Sequence, residues 1–337
     1  MPVEPHHAYH VGGLRGHLST SARVSACVEA SRRGAEFLRR AQLPTGEFRT
    51  LLSADPRLLA DPVTDSSPFA TTFVLQALGE LTLEAREGLE GTIEKALDFL
   101  AEEQDPEGLW RYWTRSSPRR SLVPPDLDDT SCASWVLGRY GRGFKDSRAL
   151  VAANRDAQGR FLTWVGPAEA DNDVDGVVNA NVVLYLGSGA ETAAACEYLS
   201  GLIESPESEL GSWYYPDPLA LDYAVSRAAC HGVAPLRSCR ERLLTRVSDR
   251  CGAGAGHQDP LSAALAAATL MNCEAEVDLL DSQVEIILAS QCQDGSWPRL
   301  AFYSGPRPPL PRSVWFGSEE LTTALCLEAA ARYAGFG

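Results

Sequence analysis

Histidine is scarce in this 337-residue chain: there are six, and His6, His7, His10 and His17 crowd the N-terminal leader. His231 and His257 are left, too far apart to form an H-x-x-x-H metal pair. No G-x-S-x-G elbow, phosphate-cradling glycine loop or dinucleotide fingerprint occurs. Nowhere is there a run near the roughly 20 apolar residues a membrane-crossing helix needs. Positive charge is also short: 30 Lys and Arg face 45 Asp and Glu, a net −15. That balance argues against nucleic acid and against anionic membrane surfaces as partners. The nine cysteines are an odd number with no C-x-x-C, and several lie in helical patterns, as Cys132 and Cys326 do. They read as reduced, buried small hydrophobes of a cytoplasmic protein. Strand-like alternation is nearly missing too.

What is present is a repeat of two kinds of helix. One kind is charged on one side, over residues 20–42, 85–104, 147–156, 191–205, 236–250 and 276–291. Its apolar stripe recurs at helical spacing, as at Ile93, Leu97 and Leu100. The other kind is apolar nearly all round, as in "VDGVVNANVVLYLG" and "PLSAALAAATLMN". Such helices belong in an interior. The count is six outer–inner pairs, at spacings of roughly 42 to 62 residues.

The joints repeat as well. Gln42, Gly46, Phe48 match Gln104, Gly108, Trp110 and again Gln291, Gly295, Trp297. Weaker copies keep Gly159 with Phe161 and Gly211 with Trp213, and the copy near "CGAGAGHQ" is degenerate. A glutamine can satisfy orphan carbonyls at a helix end, a glycine permits the left-handed turn, and an aromatic fills the gap behind it. These pairs predict an all-α fold, an (α/α)6 barrel over residues 20–337, after a flexible leader over 1–19. The N-termini of the inner helices should then meet around one rim.

That rim is acidic. Inner-helix starts carry Asp126, Asp128 and Asp129; Asp171, Asp173 and Asp175; Asp217 with Asp222 one turn on; Asp259; Glu319 and Glu320; and Asp65. Capping accounts for the single acids. It does not account for the doubled clusters, because one helix needs one cap. Crowded carboxyls cannot all ionise cheaply, so at least one should keep its proton, or a divalent cation should sit between them.

The Q-x-x-x-G-x-W joints resemble the repeat of squalene–hopene and oxidosqualene cyclases and their prenyltransferase relatives. "DLDDTSCAS" resembles the D-x-D-D stretch of class II terpene cyclases. The resemblance implies a cyclase or isomerase that protonates an isoprenoid, with Asp128 as general acid and no cofactor. Asp126 and Asp129 would hold its protonated form. Rim aromatics Trp110, Trp113, Trp213, Tyr214, Tyr215, Trp315 and Phe316 could then face a cation. Asp173, Asp175, Asn179, Asp222 and Glu319 would complete the substrate-facing rim. The chain departs from that family in having one barrel, so either the pocket is confined to the barrel mouth, a partner protein or a second copy completes it, or the chemistry has changed. The second acidic cluster also departs from its pattern.

Two other readings stand beside this one. In the first, Mg²⁺ bridges Asp128, Asp129, Asp173 and Asp175, and the enzyme acts on a prenyl diphosphate. Arg115, Arg119 and Arg120 could then meet phosphate. In the second, the barrel is not catalytic and binds a hydrophobic metabolite or partner. Finally, the proline-stiffened segment 303–317 is expected to lie over the rim as a lid or a connector.

Overall fold

The computed structural model describes residues 19–205, 211–252, 258–275, 277–306 and 310–336. Most of the expected leader, His257, Pro308 and Pro309 lie outside the described residues. The outer helices are α1 (Thr20–Ala41), α3 (Glu90–Glu103), α5 (Arg148–Ala153), α7 (Ala193–Glu204), α9 (Arg240–Cys251) and α11 (Val277–Ala289). The inner ones are α2 (Pro68–Glu80), α4 (Leu127–Arg139), α6 (Gly176–Leu186), α8 (Leu219–Cys230), α10 (Pro260–Asn272) and α12 (Glu319–Phe336). Each inner helix packs on the next, and α12 returns to α2, so the ring is closed.

Burial follows the two sequence types. Every residue of α6 but its last is buried. By contrast, α7 buries only the stripe Ala195, Cys196, Leu199 and Ile203. Each fully buried leucine or isoleucine in these faces contributes about 1.5–3 kcal/mol. Truncating Leu199 to alanine would cost about 2–5 kcal/mol, because the close-packed wall cannot collapse onto the hole.

The joints work as clamps. Gln42 Nε2 donates to the carbonyls of Gly46 and Thr92, 3.0 and 2.9 Å away. Gln104 does the same with Gly108 and Lys145, at 3.0 and 2.8 Å. Gln291 donates to Gly295 and Ala30, at 3.0 and 2.9 Å. Each glutamine thus ties its own turn to a neighbouring outer-helix pair. The joint aromatics Phe48, Trp110, Phe161 and Trp297 are wholly buried.

A further regularity ties the joints to the inner helices. The backbone N–H of each of these aromatics is received by a polar side chain near the start of the following inner helix. The acceptors are Thr71, Thr130, Asn179 and Thr323, at 2.9–3.1 Å.

The all-α expectation needs one addition. Segments of the first and last joints form an antiparallel sheet in the order β2-β1-β4-β3. Its strands are β1 (Thr50–Ser53), β2 (Val63–Asp65), β3 (Leu300–Gly305) and β4 (Val314–Ser318). The segment expected over the rim is therefore a hairpin, held to the fourth joint where Ser304 N donates to the Tyr214 carbonyl at 2.7 Å. No helix among the described residues is long and apolar enough to cross a membrane.

Candidate active site

Every inner helix has a first-turn amide received by a side chain just before it, which fixes how the rim residues point; in α8 that residue is Asp217, one before the N-cap Pro218. Ser67, Asp126, Asp175, Asp217, Asp259 and Ser318 accept first-turn amides at 2.7–3.2 Å. Capping therefore occupies Asp217 and Asp259, as expected. For α2, though, the cap is Ser67, because Asp65 accepts instead from Trp113 Nε1 (2.8 Å) and Arg119 (2.9 Å).

With Asp126 spent as cap, Asp128 and Asp129 fall on the first turn of α4 and diverge. Asp129 turns back toward Asp126. Both are buried, and Asp126 Oδ2 and Asp129 Oδ1 lack any donor. A proton on one of the two carboxyls relieves the repulsion between them. Burial first, then the neighbouring carboxyl, pushes Asp129 well above the usual carboxylate range. Burial likewise pushes Asp126 up to about 7.

Asp128 is the open member of the trio, half-buried where the other two are closed off. Its Oδ1 accepts from Asn181 Nδ2 at 2.6 Å and its Oδ2 from Tyr215 Oη at 2.5 Å. Burial raises its pKa, while Tyr215, Asn181 and the charge of Arg227 pull it back down. Its orientation thus comes from Asn181 and Tyr215. Asp126 and Asp129, expected to hold it, hold each other.

Tyr215 is delivered by Asp175. One oxygen of Asp175 caps α6, and the other receives the backbone N–H groups of Trp213 (2.5 Å) and Tyr214 (3.3 Å). This pins the Trp213-Tyr214-Tyr215 strip so that the third residue reaches Asp128. Burial pushes Asp175 up to about 7, against the amides it accepts.

Behind Asn181 a buried polar chain crosses the barrel. Arg227 donates to Asn181 Oδ1 at 2.6 Å and to Gln76 Oε1 at 2.5 Å. Gln76 in turn donates to Glu328 at 2.8 Å, which also accepts from Tyr223 at 2.8 Å. A cavity of about 10 Å³ adjoins this chain, lined by Gln76, Ser131, Cys132, Trp135, Asn181 and Arg227 among others. That is room for about one water. Ser131 Oγ and Arg227 Nε have no partner of their own.

Toward the mouth the walls are aromatic. Tyr303 stacks on Phe316 with centroids 5.2 Å apart and meets Phe69 edge-on at 5.1 Å. Phe302 meets Phe73 and Tyr215 at 5.3 and 5.2 Å. Tyr112 and Tyr303 join hydroxyls at 3.0 Å. The β3–β4 hairpin supplies Phe302, Tyr303 and Phe316 to these walls.

Several expected site residues go elsewhere. Trp110 is core, its indole N–H on the Leu100 carbonyl at 2.8 Å. Asn179 is consumed by the third joint, bonding both polar groups of the Phe161 backbone. Asp222 points outward to Arg246 at 2.7 Å, with no exposed surface. Glu319 lies 3.7 Å from Arg299. Asp173 accepts from Thr163, Trp164 and Tyr214, and with Trp213 it lines an outer cleft of about 420 Å³. Asp171 is exposed. Trp113 spends its indole N–H on Asp65, and Trp315 pairs across the sheet with Ser53.

The expected Mg²⁺ ligands Asp128, Asp129, Asp173 and Asp175 do not converge. Each has its own partners as described, and no three His, Cys, Asp or Glu side chains form a metal-holding group among the described residues. The basic loop is likewise committed: Arg119 pairs with Asp65, Arg120 with Asp105 and Glu103, and Arg115 with the Gln104 carbonyl. Arg227 and Gln76 were not among the expected site residues. Their signal was available as polar side chains on helices otherwise apolar all round.

No family model and no curated protein matches the chain. Solved structures do, and they define its fold as that of the type II terpene cyclases. The cyclase MstE from Scytonema, without ligand, is 17% identical over 94% of this chain and 99% of its own, with a TM-score of 0.69. A variant of it bound to geranylgeranyl dihydroxybenzoate, its substrate, aligns over the same shares at 16% identity and a TM-score of 0.71. The ent-copalyl diphosphate synthase of Streptomyces platensis matches at 17% identity and a TM-score of 0.57, over 80% of this chain but 50% of its own.

Proposed function

We propose that this protein is a type II terpene cyclase in which Asp128 protonates a terminal alkene of an isoprenoid. The observation that carries the reading is Asp128 itself: the one member of the trio that is not fully buried, with a hydrogen-bond donor on each oxygen. In the acid form we place the proton on Oδ2, whose remaining lone pair still accepts from the Tyr215 hydroxyl, and leave Oδ1 as the carbonyl oxygen that accepts from Asn181. The alkene π pair takes that proton, forming a C–H bond and a tertiary cation. The electrons of the O–H bond remain on Asp128 as a carboxylate. Asn181, Tyr215 and the positive field of Arg227 stabilise that carboxylate, which makes a buried acid strong enough to react. Aromatic faces in the mouth, above all Phe302, Tyr303 and Phe316, stabilise the cation as rings close. Loss of a proton from the cyclised cation ends the sequence, and reprotonation of Asp128 from solvent resets the site.

A cavity of about 10 Å³ cannot hold an isoprenoid. The β3–β4 hairpin, which sets Phe302 against Tyr215 beside Asp128, is the element whose movement would open space for substrate over the acid. The fold of MstE and its substrate-bound form support the same reading by analogy of architecture.

The test is incubation with C10–C30 isoprenoids, free and as diphosphates, with and without Mg²⁺, followed by mass spectrometry. Cyclised product of unchanged mass is expected from the native protein without added metal. Asp128→Asn should form none while keeping its helical circular-dichroism spectrum. Product formation by that variant at the native rate rules out Asp128 as the acid.

A further inference from the structure

Two amides flank the guanidinium of Arg227, and both show it their carbonyl oxygens. Asn181 Oδ1 lies 2.6 Å from Nη2, and Gln76 Oε1 lies 2.5 Å from Nη1. An amide whose oxygen is claimed must present its N–H₂ on the other side. Gln76 therefore donates to Glu328, and Asn181 to Asp128. Arginine has only donors, so it cannot tolerate either amide reversed. Glutamine, asparagine and carboxylate could each otherwise pair in more than one way.

We infer that Arg227 is a positioning residue that locks the Asn181 amide and thereby assigns the accepting and the proton-bearing oxygens of Asp128. The inference rests on the reading of Asp128 as the acid, and it deepens that reading. Without Arg227, Asn181 could turn its carbonyl toward Asp128 and take a hydrogen bond from the carboxylic acid itself. The proton would then be held against Asn181 rather than offered to the substrate.

The fold invests in this residue. Arg227 is 3% exposed and lies 5.8, 5.5 and 5.1 Å from the ring centres of Phe73, Trp135 and Tyr223. Three aromatic faces around a resident cation hold it against both amides. The other charged or titratable groups around Asp128 are Asp126, Asp129 and Cys132 on α4, Asp175 at the start of α6, and Tyr215. Arg227 on α8 is the positive one of this set.

The test uses Arg227→Met, Arg227→Lys and Gln76→Met in the full chain, with two readouts. The first needs no turnover: hydrogen exchange of the Asn181 side-chain amide followed by NMR. Slow exchange is expected in the native protein, and exchange at least about tenfold faster in Arg227→Met. Lysine, a donor-only cation, should restore part of the protection. The second is the pH–rate profile. Activity needs protonated Asp128, so it falls as pH rises through that group's pKa. Removing the positive charge raises that pKa, so in Arg227→Met the falling limb should move up by about one pH unit. The plateau should drop at least about tenfold, because the proton donor is weaker and misdirected. Lysine should keep the limb near its native position while losing part of the plateau. Should Arg227→Met fail to fold, Gln76→Met loosens the guanidinium from its far side and should give smaller changes in the same directions. Native amide exchange and an unmoved profile in the folded variants would overturn the inference. If no isoprenoid is cyclised by the native protein, the amide-exchange arm still decides the role of Arg227, while the acid role of Asp128 fails separately.

Discussion

The hydroxyl of Tyr215 donates to Oδ2 of Asp128 across 2.5 Å, from a position 87 residues further along the chain. The tyrosine ring is braced by Phe302, edge-on at 5.2 Å. Removing only the hydroxyl should leave that packing intact. A hydrogen bond to a charged group is worth about 1.5–3 kcal/mol, and this one is strongest once Asp128 has lost its proton. Tyr215→Phe should therefore lower kcat by about 10- to 100-fold with a melting temperature within a few degrees of native. Unchanged kcat would show that the hydroxyl does not serve the carboxylate.

Asp175 does two jobs with two oxygens, and the substitutions Asp175→Asn and Asp175→Ala separate them. Asparagine keeps one acceptor, so it can still cap α6 at Val177 N, 2.7 Å away in the native protein. It cannot accept the Trp213 and Tyr214 amides with its nitrogen. Asparagine is expected to cost little stability but to slacken the strip that carries Tyr215, reducing kcat more than the melting temperature. Alanine loses the cap as well, at a further cost of about 0.5–2 kcal/mol. Equal stability in both variants, by urea denaturation, would contradict the division.

The joints make a prediction of their own. Gly295 has φ +94°, and a Cβ built there would sit 2.4 Å from the Arg33 carbonyl oxygen. Gly295→Ala must strain the turn or push α1 away, so a loss of about 2–4 kcal/mol is expected. The control is Gly201 in α7, where an added Cβ meets nothing within 4 Å. There Ala should gain up to about 1 kcal/mol. Similar denaturation midpoints for the two variants would refute the clamp account.

How much of this was readable follows from the range of the interactions. The outer–inner pairs were legible because a buried helix and a half-buried one differ in composition along their whole lengths. The clamps were legible because Gln42, Gly46 and Phe48 interact mostly within a few positions of one another. The four-stranded sheet was not, since β1 pairs with β4 across more than 260 residues and neither strand alone has a long alternation. The rim carboxylates were visible as a group, but not their individual fates. Asp222 and Asp128 both sit in the first turn of an inner helix, yet one turns outward to Arg246 and the other inward to Asn181. Only the rotation of each helix about its axis decides that. Asn179 and Asn181 show the same limit: two positions apart on α6, one serves a joint and the other the acid.

Glu47 offers a test of burial at the rim that is independent of Asp128. It is 5% exposed and accepts from Ser67 N at 2.9 Å and Ser66 Oγ at 3.0 Å. Burial outweighs those donors and pushes it up to about 7. Its folded pKa is thus above its unfolded value, so the folded state holds the proton longer. The stability this group contributes is full below about pH 4 and is lost as pH rises toward 7. Glu47→Gln keeps an acceptor for Ser67 N and cannot ionise. Between pH 5 and 8 the native protein should therefore lose about 2 kcal/mol more unfolding free energy than Glu47→Gln. Guanidinium titrations of both proteins at the two pH values measure the difference. Parallel losses would mean that Glu47 ionises in the folded protein as readily as in the unfolded chain.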